Sequence, residues 1–99
     1  MFVEKHPVPP GGFEAYRKAL LNAVRVPVEK PLLKGNVFVN FVVDKKGKLT
    51  DMEVVKGLSP EYNAEAVRVV QLFQPWTPGF QNGQAVRVMH TIMVPFPPK

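Results

Sequence analysis

The chain lacks most of the side chains that catalytic and metal sites need. Its 99 residues include no cysteine, which excludes disulfide bonds and thiolate metal ligands. With only two histidines and no carboxylates at ligand spacing, we expect no bound metal. The one serine, Ser59, precedes Pro60 and fits a helix cap better than a nucleophile. Because no glycine-rich phosphate-binding loop is present either, we predict no cofactor and no enzymatic activity.

Long apolar segments are also missing. No apolar run approaches the roughly 18 residues that would span a membrane, and the N-terminus does not have the pattern of a signal peptide. We therefore expect any export or anchoring segment to lie outside this chain. An apolar fraction of 45% and a net charge of +5 are ordinary values for one small globular domain.

Proline and glycine divide the chain into short segments. Residues 1–12 are rich in both and are interpreted as the end of a linker, followed by a domain over residues 13–96 and a tail over residues 97–99. Apolar residues at helical spacing predict a first helix from about Phe13 to Val24. A bent connection over residues 25–34 follows. Ser59 and Pro60 then begin a second helix that ends near Phe73.

Alternating apolar residues predict three strands, which lie at about Gly35–Asp44, Lys48–Lys56 and Ala85–Val94. A tight hairpin at residues 44–47 joins the first two strands. The element order is therefore helix, strand, strand, helix, strand. We predict an α+β fold in which two helices pack on one face of a three-stranded antiparallel sheet.

The composition of each strand predicts its place in the sheet. The first strand is apolar on both faces, with Phe38 and Val42 directed away from the helices, so we expect it in the centre. The second strand carries charges that guard an edge. The third strand has one charge, Arg87, and no proline before Pro95. If this strand is the other edge, it is poorly guarded and open to a partner strand.

The segment from Phe73 to Val88 is the most distinctive part of the sequence. It contains the only tryptophan, Trp76, between Pro75 and Pro78. Two prolines and a glycine exclude a helix here, and a tryptophan of this size is costly to leave in water. We therefore expect a rigid aromatic corner in which Trp76 closes one end of the core, followed by a turn at Asn82-Gly83.

Alternation along the third strand separates two faces. Val86, Val88, His90 and Ile92 are predicted to face the helices, and a half-buried, hydrogen-bonded His90 is the simplest expectation. Met89 and Met93 share the opposite face with Arg87. Adaptable methionines beside a cation suit a binding surface, although chance placement explains them equally well.

Several motifs taken together resemble the C-terminal domain of TonB-family energy transducers. They are Pro10-Gly11-Gly12, Gly35–Val39, Phe41–Gly47, the corner Pro75-Trp76-Thr77-Pro78-Gly79 and the segment Gln81–Val88. The resemblance covers roughly residues 9 to 96. It implies a non-enzymatic periplasmic domain, in a parent protein anchored in the inner membrane, that captures the TonB box of an outer-membrane transporter. Inner-membrane proton-channel partners would act through a region N-terminal to this domain.

The resemblance also implies where the partner binds. The box would add a strand to the last strand of the sheet, made of Val86, Arg87, Val88, Met89, His90, Thr91, Ile92, Met93 and Val94. Weaker secondary contacts are expected at Arg25, Val26 and Phe38, where Val26-Pro27 stands in place of the Tyr-Pro found in many relatives. Pro75, Trp76, Pro78 and Gly79 would be structural.

Three alternatives remain open at this point. The third strand could pair with a second copy of the chain and form a homodimer. The domain could belong to a membrane-bound sensor. A third and weaker hypothesis is single-stranded nucleic-acid binding by Phe38, Arg87 and the lysines. Since Lys45, Lys46 and Lys48 cluster at a hairpin tip and not along a groove, we expect no nucleic acid.

Overall fold

The computed structural model describes residues 3–28 and 32–99 and confirms the predicted α+β architecture. Its elements are α1 (Gly12–Ala23), β1 (Gly35–Val43), β2 (Leu49–Lys56), α2 (Pro60–Leu72), β3 (Gly79–Gln81), β4 (Gln84–Val86) and β5 (Val88–Phe96). The main sheet is antiparallel, with strand order β2-β1-β5. A separate two-stranded sheet joins β3 to β4. Of the expected connection at 25–34, residues 29–31 lie outside the described residues.

The two helices form for reasons visible in the sequence. Helix α2 begins as predicted, because the Ser59 hydroxyl accepts a hydrogen bond from the Tyr62 N–H at 3.2 Å. Helix α1 buries Tyr16 and Leu20, one helical turn apart. The Arg68 side chain of α2 donates to the Ala23 carbonyl at 2.9 Å. This bond satisfies an open carbonyl at the C-terminal end of α1 and ties the helices together.

Strand β1 is central, as its apolar composition predicted. Its burial alternates along the strand, so that one face is fully covered by the helices and the other is partly exposed. The covered face consists of Val37, Val39, Phe41 and Val43. Tyr62, Ala66, Val69 and Val70 of α2 complete the core against it. The core therefore lies between one sheet face and the two helices.

Strand β2 is irregular where it pairs with β1. Its register with β1 shifts twice, and each shift adds one residue on the β2 side, which is the mark of a β-bulge. Asp51, in one of these bulges, has a φ of 53°. Both bulges lie on β2, so the regular alternation of β1 is preserved and its pairing with β5 is continuous.

The hairpin between β1 and β2 positions the aromatic corner. Gly47 has a φ of 84°, and its carbonyl accepts a hydrogen bond from the Trp76 N–H at 2.9 Å. A Cβ at position 47 would lie 1.9 Å from the Trp76 carbonyl oxygen. Glycine is therefore required here both by the backbone conformation and by the close approach of the corner.

Both ends of the predicted third strand differ from the structure. The third strand was expected as one run beginning near Ala85, but the chain first forms the β3–β4 hairpin and β5 begins only at Val88. Strand β5 also continues through Pro95 to Phe96, beyond the expected end at Val94. The pairing of β4 with β3 across the Asn82-Gly83 turn explains the interruption.

The segment before α1 was expected to be the end of a linker. Its described residues instead pack on the corner, with Val3 and Pro7 buried. Lys5 and Val8 form backbone bridges to Phe80 and Thr77, and these hydrogen bonds measure 2.7–3.2 Å. The described part of this segment is therefore an element of the folded domain.

Candidate functional site

Strand β5 has a neighbour on one side only. It pairs with β1 along its whole length, from Val88 opposite Val43 to Phe96 opposite Gly35, without a bulge. No other strand among residues 3–28 and 32–99 pairs with it. The predicted unguarded edge is therefore present in the fold, and the outer backbone of β5 is unpaired within the described chain.

The hairpin shows which backbone groups of β5 point outward. The Asp44 N–H donates to the Lys48 carbonyl at 2.9 Å, so the backbone of Asp44 is directed towards β2. Because consecutive residues of a strand direct their backbone groups to opposite sides, Val43 is directed towards β5. Through the continuous register, the pairs that exchange hydrogen bonds are Val43–Val88, Phe41–His90, Val39–Ile92 and Val37–Val94.

The remaining residues of β5 face the open side. Met89, Thr91 and Met93 direct both their N–H and their C=O away from β1, towards the unpaired edge. Pro95 belongs to the same set, and a proline in a sheet is tolerated where its missing N–H faces solvent. The position of Pro95 therefore agrees independently with the orientation derived from the hairpin.

The sheet face opposite the helices is exposed along this edge. Met89 is 66% exposed and Met93 36% exposed. The Thr91 hydroxyl donates to Oδ1 of Asn40 on β1, and the Asn40 amide approaches the Met89 sulfur at 3.9 Å. This face is therefore a mixed surface of methionine and small polar groups.

On the helix side, α1 and β5 enclose an open groove of about 180 Å³. The groove is lined by Phe13, Tyr16, Arg17, Leu20, Ile92 and Met93. Tyr16 and Leu20 are each only 3% exposed, whereas Phe13 is 47% exposed. Helix α1 thus supplies an apolar wall next to the unpaired edge of the sheet.

The aromatic corner supports the beginning of this edge. Trp76 is 2% exposed, and its ring contacts those of Tyr16, Phe41 and His90 at centroid distances of 5.2–5.4 Å. A Cβ at Gly79 would lie 2.8 Å from a Val88 methyl, which shows how closely the corner packs on the first residue of β5. Trp76 therefore belongs to the core and holds the start of β5 in place.

His90 faces the helices, as its place in the alternation predicted, and is half-buried. Its ring lies 5.7 Å from the Phe13 ring and 5.3 Å from the Trp76 ring. Burial lowers the pKa of His90, and the nearby charge of His6 lowers it further. No hydrogen bond to the imidazole is found among the described residues, so aromatic packing holds this ring in place of the expected hydrogen bond.

The structure brings most of the predicted partner-binding residues together. Val88 to Val94 all lie on β5, but Val86 belongs to β4 and Arg87 falls between the two strands. Arg87 instead pairs with Asp51 at 3.1 Å on the exposed surface. Because β4 folds back on β3, these two positions are not part of the continuous edge.

The three predicted secondary contacts lie apart from one another. Arg25 and Val26 follow the end of α1, where the Arg25 N–H donates to Glu65 at 2.6 Å. Phe38 lies on the opposite face of the sheet, paired with Met93 and with the Lys56 ammonium 6.0 Å from its ring. The prediction missed the groove residues of α1, because helical periodicity identifies an apolar stripe without showing which strand it faces.

Two further observations concern other kinds of site. Within the described ranges, no group of three or more histidine and carboxylate side chains is arranged to hold a metal ion. No helix in that part of the chain has the length and apolar character needed to cross a membrane.

Comparison with known proteins identifies a family. A family model described as "Gram-negative bacterial TonB protein C-terminal" matches residues 30–98. This range includes the whole sheet, α2 and the aromatic corner. No match is found among curated proteins or among solved structures.

Proposed function

Because this chain belongs to the family of Gram-negative bacterial TonB C-terminal domains, we propose that it captures the TonB box of an outer-membrane transporter along the outer edge of β5. The captured segment would extend the sheet as a fourth strand, by β-augmentation. The observation that carries this proposal is the unpaired edge at Met89, Thr91 and Met93, whose backbone groups point away from β1.

The number of outward groups gives a scale for the affinity. At Met89, Thr91 and Met93 alone, three N–H donors and three C=O acceptors allow about six backbone hydrogen bonds, each contributing about 0.5–1.5 kcal/mol net. Their sum of about 3–9 kcal/mol stands against an association cost of about 4–15 kcal/mol. Backbone pairing alone therefore gives weak binding, and side-chain contacts must supply the remainder. A moderate affinity suits a grip that has to release.

The same geometry suits transmission of force. When two strands are pulled along their length, all the bonds between them share the load in shear. In the proposed role, the domain lies in the periplasm, its parent protein is anchored in the inner membrane, and proton-channel partners there supply the force. The transporter opens while its box is held on β5, so that the proton-motive force drives nutrient uptake.

A titration tests the proposal. The 15N-labelled domain is mixed with an extended ten-residue peptide of valine and threonine, and amide shifts are followed by NMR. We expect the largest changes at Met89, Thr91 and Met93, and small changes on β2, which lies at the other edge of the sheet. Absence of shifts along β5 with any TonB-box peptide would contradict the proposal.

A second candidate is self-association through the same edge. The exposure of Met89, at 66%, beside unpaired backbone favours it, because a second copy could pair with the first across a twofold axis. Sedimentation at increasing concentration distinguishes the two. A mass that rises towards twice the monomer, and falls when peptide is added, would identify a dimer that hides the binding edge.

A further inference from the structure

The groove between α1 and β5 lies directly beside the unpaired backbone. Its floor is formed by Tyr16 and Leu20, each 3% exposed, and its rim by the exposed Phe13 and Arg17. Ile92 closes the groove on the strand side and is only partly buried. The helix-covered face of β5 is therefore not fully covered, and an apolar groove remains open at the edge of the sheet.

A strand added to β5 would place a side chain in this opening. Side chains on neighbouring strands that lie opposite each other share a face of the sheet, with Cβ atoms about 4.5–5.5 Å apart. The residue of the added strand that lies beside Ile92 would therefore point towards α1. Its neighbours in the peptide would point to the other face, beside Thr91 and Met93, where the surface is exposed.

The residues that line the groove include one positive charge, Arg17, and no negative charge. Burial raises the pKa of the Tyr16 phenol, so the floor stays neutral. Arg17 lines the groove and is exposed. The ion pairs found in the described parts of the chain join Glu65 to Arg68 and Asp51 to Arg87, so Arg17 has no carboxylate partner there. An apolar pocket with one unpaired cation at its rim is complementary to an apolar side chain next to an acidic one.

We propose that this groove selects the sequence of the captured strand, and the proposal rests on the binding of that strand to β5. It accepts one apolar side chain in line with Ile92 and favours a carboxylate within reach of Arg17. The backbone of β5 holds any extended segment, whereas the groove distinguishes one segment from another. Residues on the exposed face of the captured strand are free to vary.

Two peptides that differ in one side chain test the apolar part. The first is a ten-residue polythreonine host, and the second carries valine at its centre. Valine and threonine have the same shape and similar strand propensity, but only threonine carries a hydroxyl into the groove. We expect the valine peptide to bind about tenfold more tightly. Its methyl protons should show NOEs to Tyr16 and Leu20.

The outcomes separate this inference from the proposed function. If both peptides shift the amides of Met89, Thr91 and Met93 with equal affinity, the edge binds strands but the groove does not select them. Methyl NOEs only to Met89 and Thr91, which lie on the opposite face and do not line the groove, would overturn the inference in the same way. If neither peptide shifts those amides, the proposed function itself fails.

The charged part has a matched pair of variants on α1. Arg17→Glu reverses the rim charge, whereas Lys18→Glu makes the same change at an exposed neighbour that does not line the groove. For a valine peptide with one aspartate two residues away, we expect Arg17→Glu to weaken binding about three- to tenfold and Lys18→Glu to have little effect. Equal losses for the two variants would show that only net charge matters and would overturn the assignment of Arg17.

Discussion

Proline substitutions at adjacent positions of β5 separate the outward-facing backbone from the inward-facing one. The Thr91 N–H points to the open edge, whereas the Ile92 N–H is directed towards Val39 of β1. Thr91→Pro therefore removes a donor that only a visiting strand uses. Ile92→Pro removes a donor that the fold itself uses. Thr91→Ala and Ile92→Ala correct for the loss of each side chain.

The size of each effect follows from the cost of an unpaired acceptor, about 1–3 kcal/mol. In Ile92→Pro this cost falls on the free energy of unfolding, which should be lower than that of Ile92→Ala by about 1–3 kcal/mol. In Thr91→Pro the cost falls on the complex, so the Kd for a TonB-box peptide should exceed that of Thr91→Ala about 5- to 150-fold. The stability difference between Thr91→Pro and Thr91→Ala should stay within about 1 kcal/mol.

Urea unfolding measures the stabilities, and fluorescence anisotropy of a labelled peptide measures the affinities. If proline lowers the free energy of unfolding relative to alanine by the same amount at positions 91 and 92, the orientation derived from the hairpin is refuted. Thr91→Pro binding as tightly as Thr91→Ala, in a domain that is still folded, would refute the placement of the partner on this edge.

Two other predictions concern the support of this edge. Gly47→Ala brings a Cβ 1.9 Å from the Trp76 carbonyl oxygen and should destabilise the domain by more than about 3 kcal/mol. Gly83→Ala is the control, because Gly83 has a φ of 73° and no atom lies within 4 Å of the added Cβ; it should lower the free energy of unfolding by only about 1 kcal/mol. If urea unfolding shows similar losses of stability for the two variants, the corner does not constrain Gly47. Folding lowers the pKa of His90 below its ordinary value of about 6.5. At pH values between these two pKa values, His90 therefore binds more protons in the unfolded chain than in the folded domain. Stability should therefore fall as the pH drops from 7.5 through this window, and His90→Phe should flatten the curve; an unchanged slope in the variant would show that His90 is not the cause.

The sequence predicted the parts of this fold that depend on local chemistry. Ser59 and Pro60 begin α2 as expected, because capping and the fixed φ of proline act within one helical turn. The apolar residues on both faces of β1 predicted its central position, because on either face the side chains of an inner strand are flanked by those of two neighbouring strands.

Three features that depend on contacts between distant segments were not predicted. The packing of Lys5 and Val8 on the corner joins residues about 70 positions apart, and proline-rich composition alone suggested a linker. The start of β5 was misplaced because Ala85 and Val86 alternate as well in a β3–β4 hairpin as in the main sheet. Similarly, the apolar stripe of Tyr16 and Leu20 was visible, but the open groove beside Ile92 required the helix to be placed along β5.

Hydrogen exchange at the backbone amides of β5 tests the central claim most directly. In the free domain, the amides of His90, Ile92 and Val94 should exchange slowly, and those of Met89, Thr91 and Met93 quickly. Addition of a saturating TonB-box peptide should slow the second set and leave the first unchanged. Slow exchange of Met89, Thr91 and Met93 in the free monomer, or fast exchange that peptide does not alter, would contradict the account.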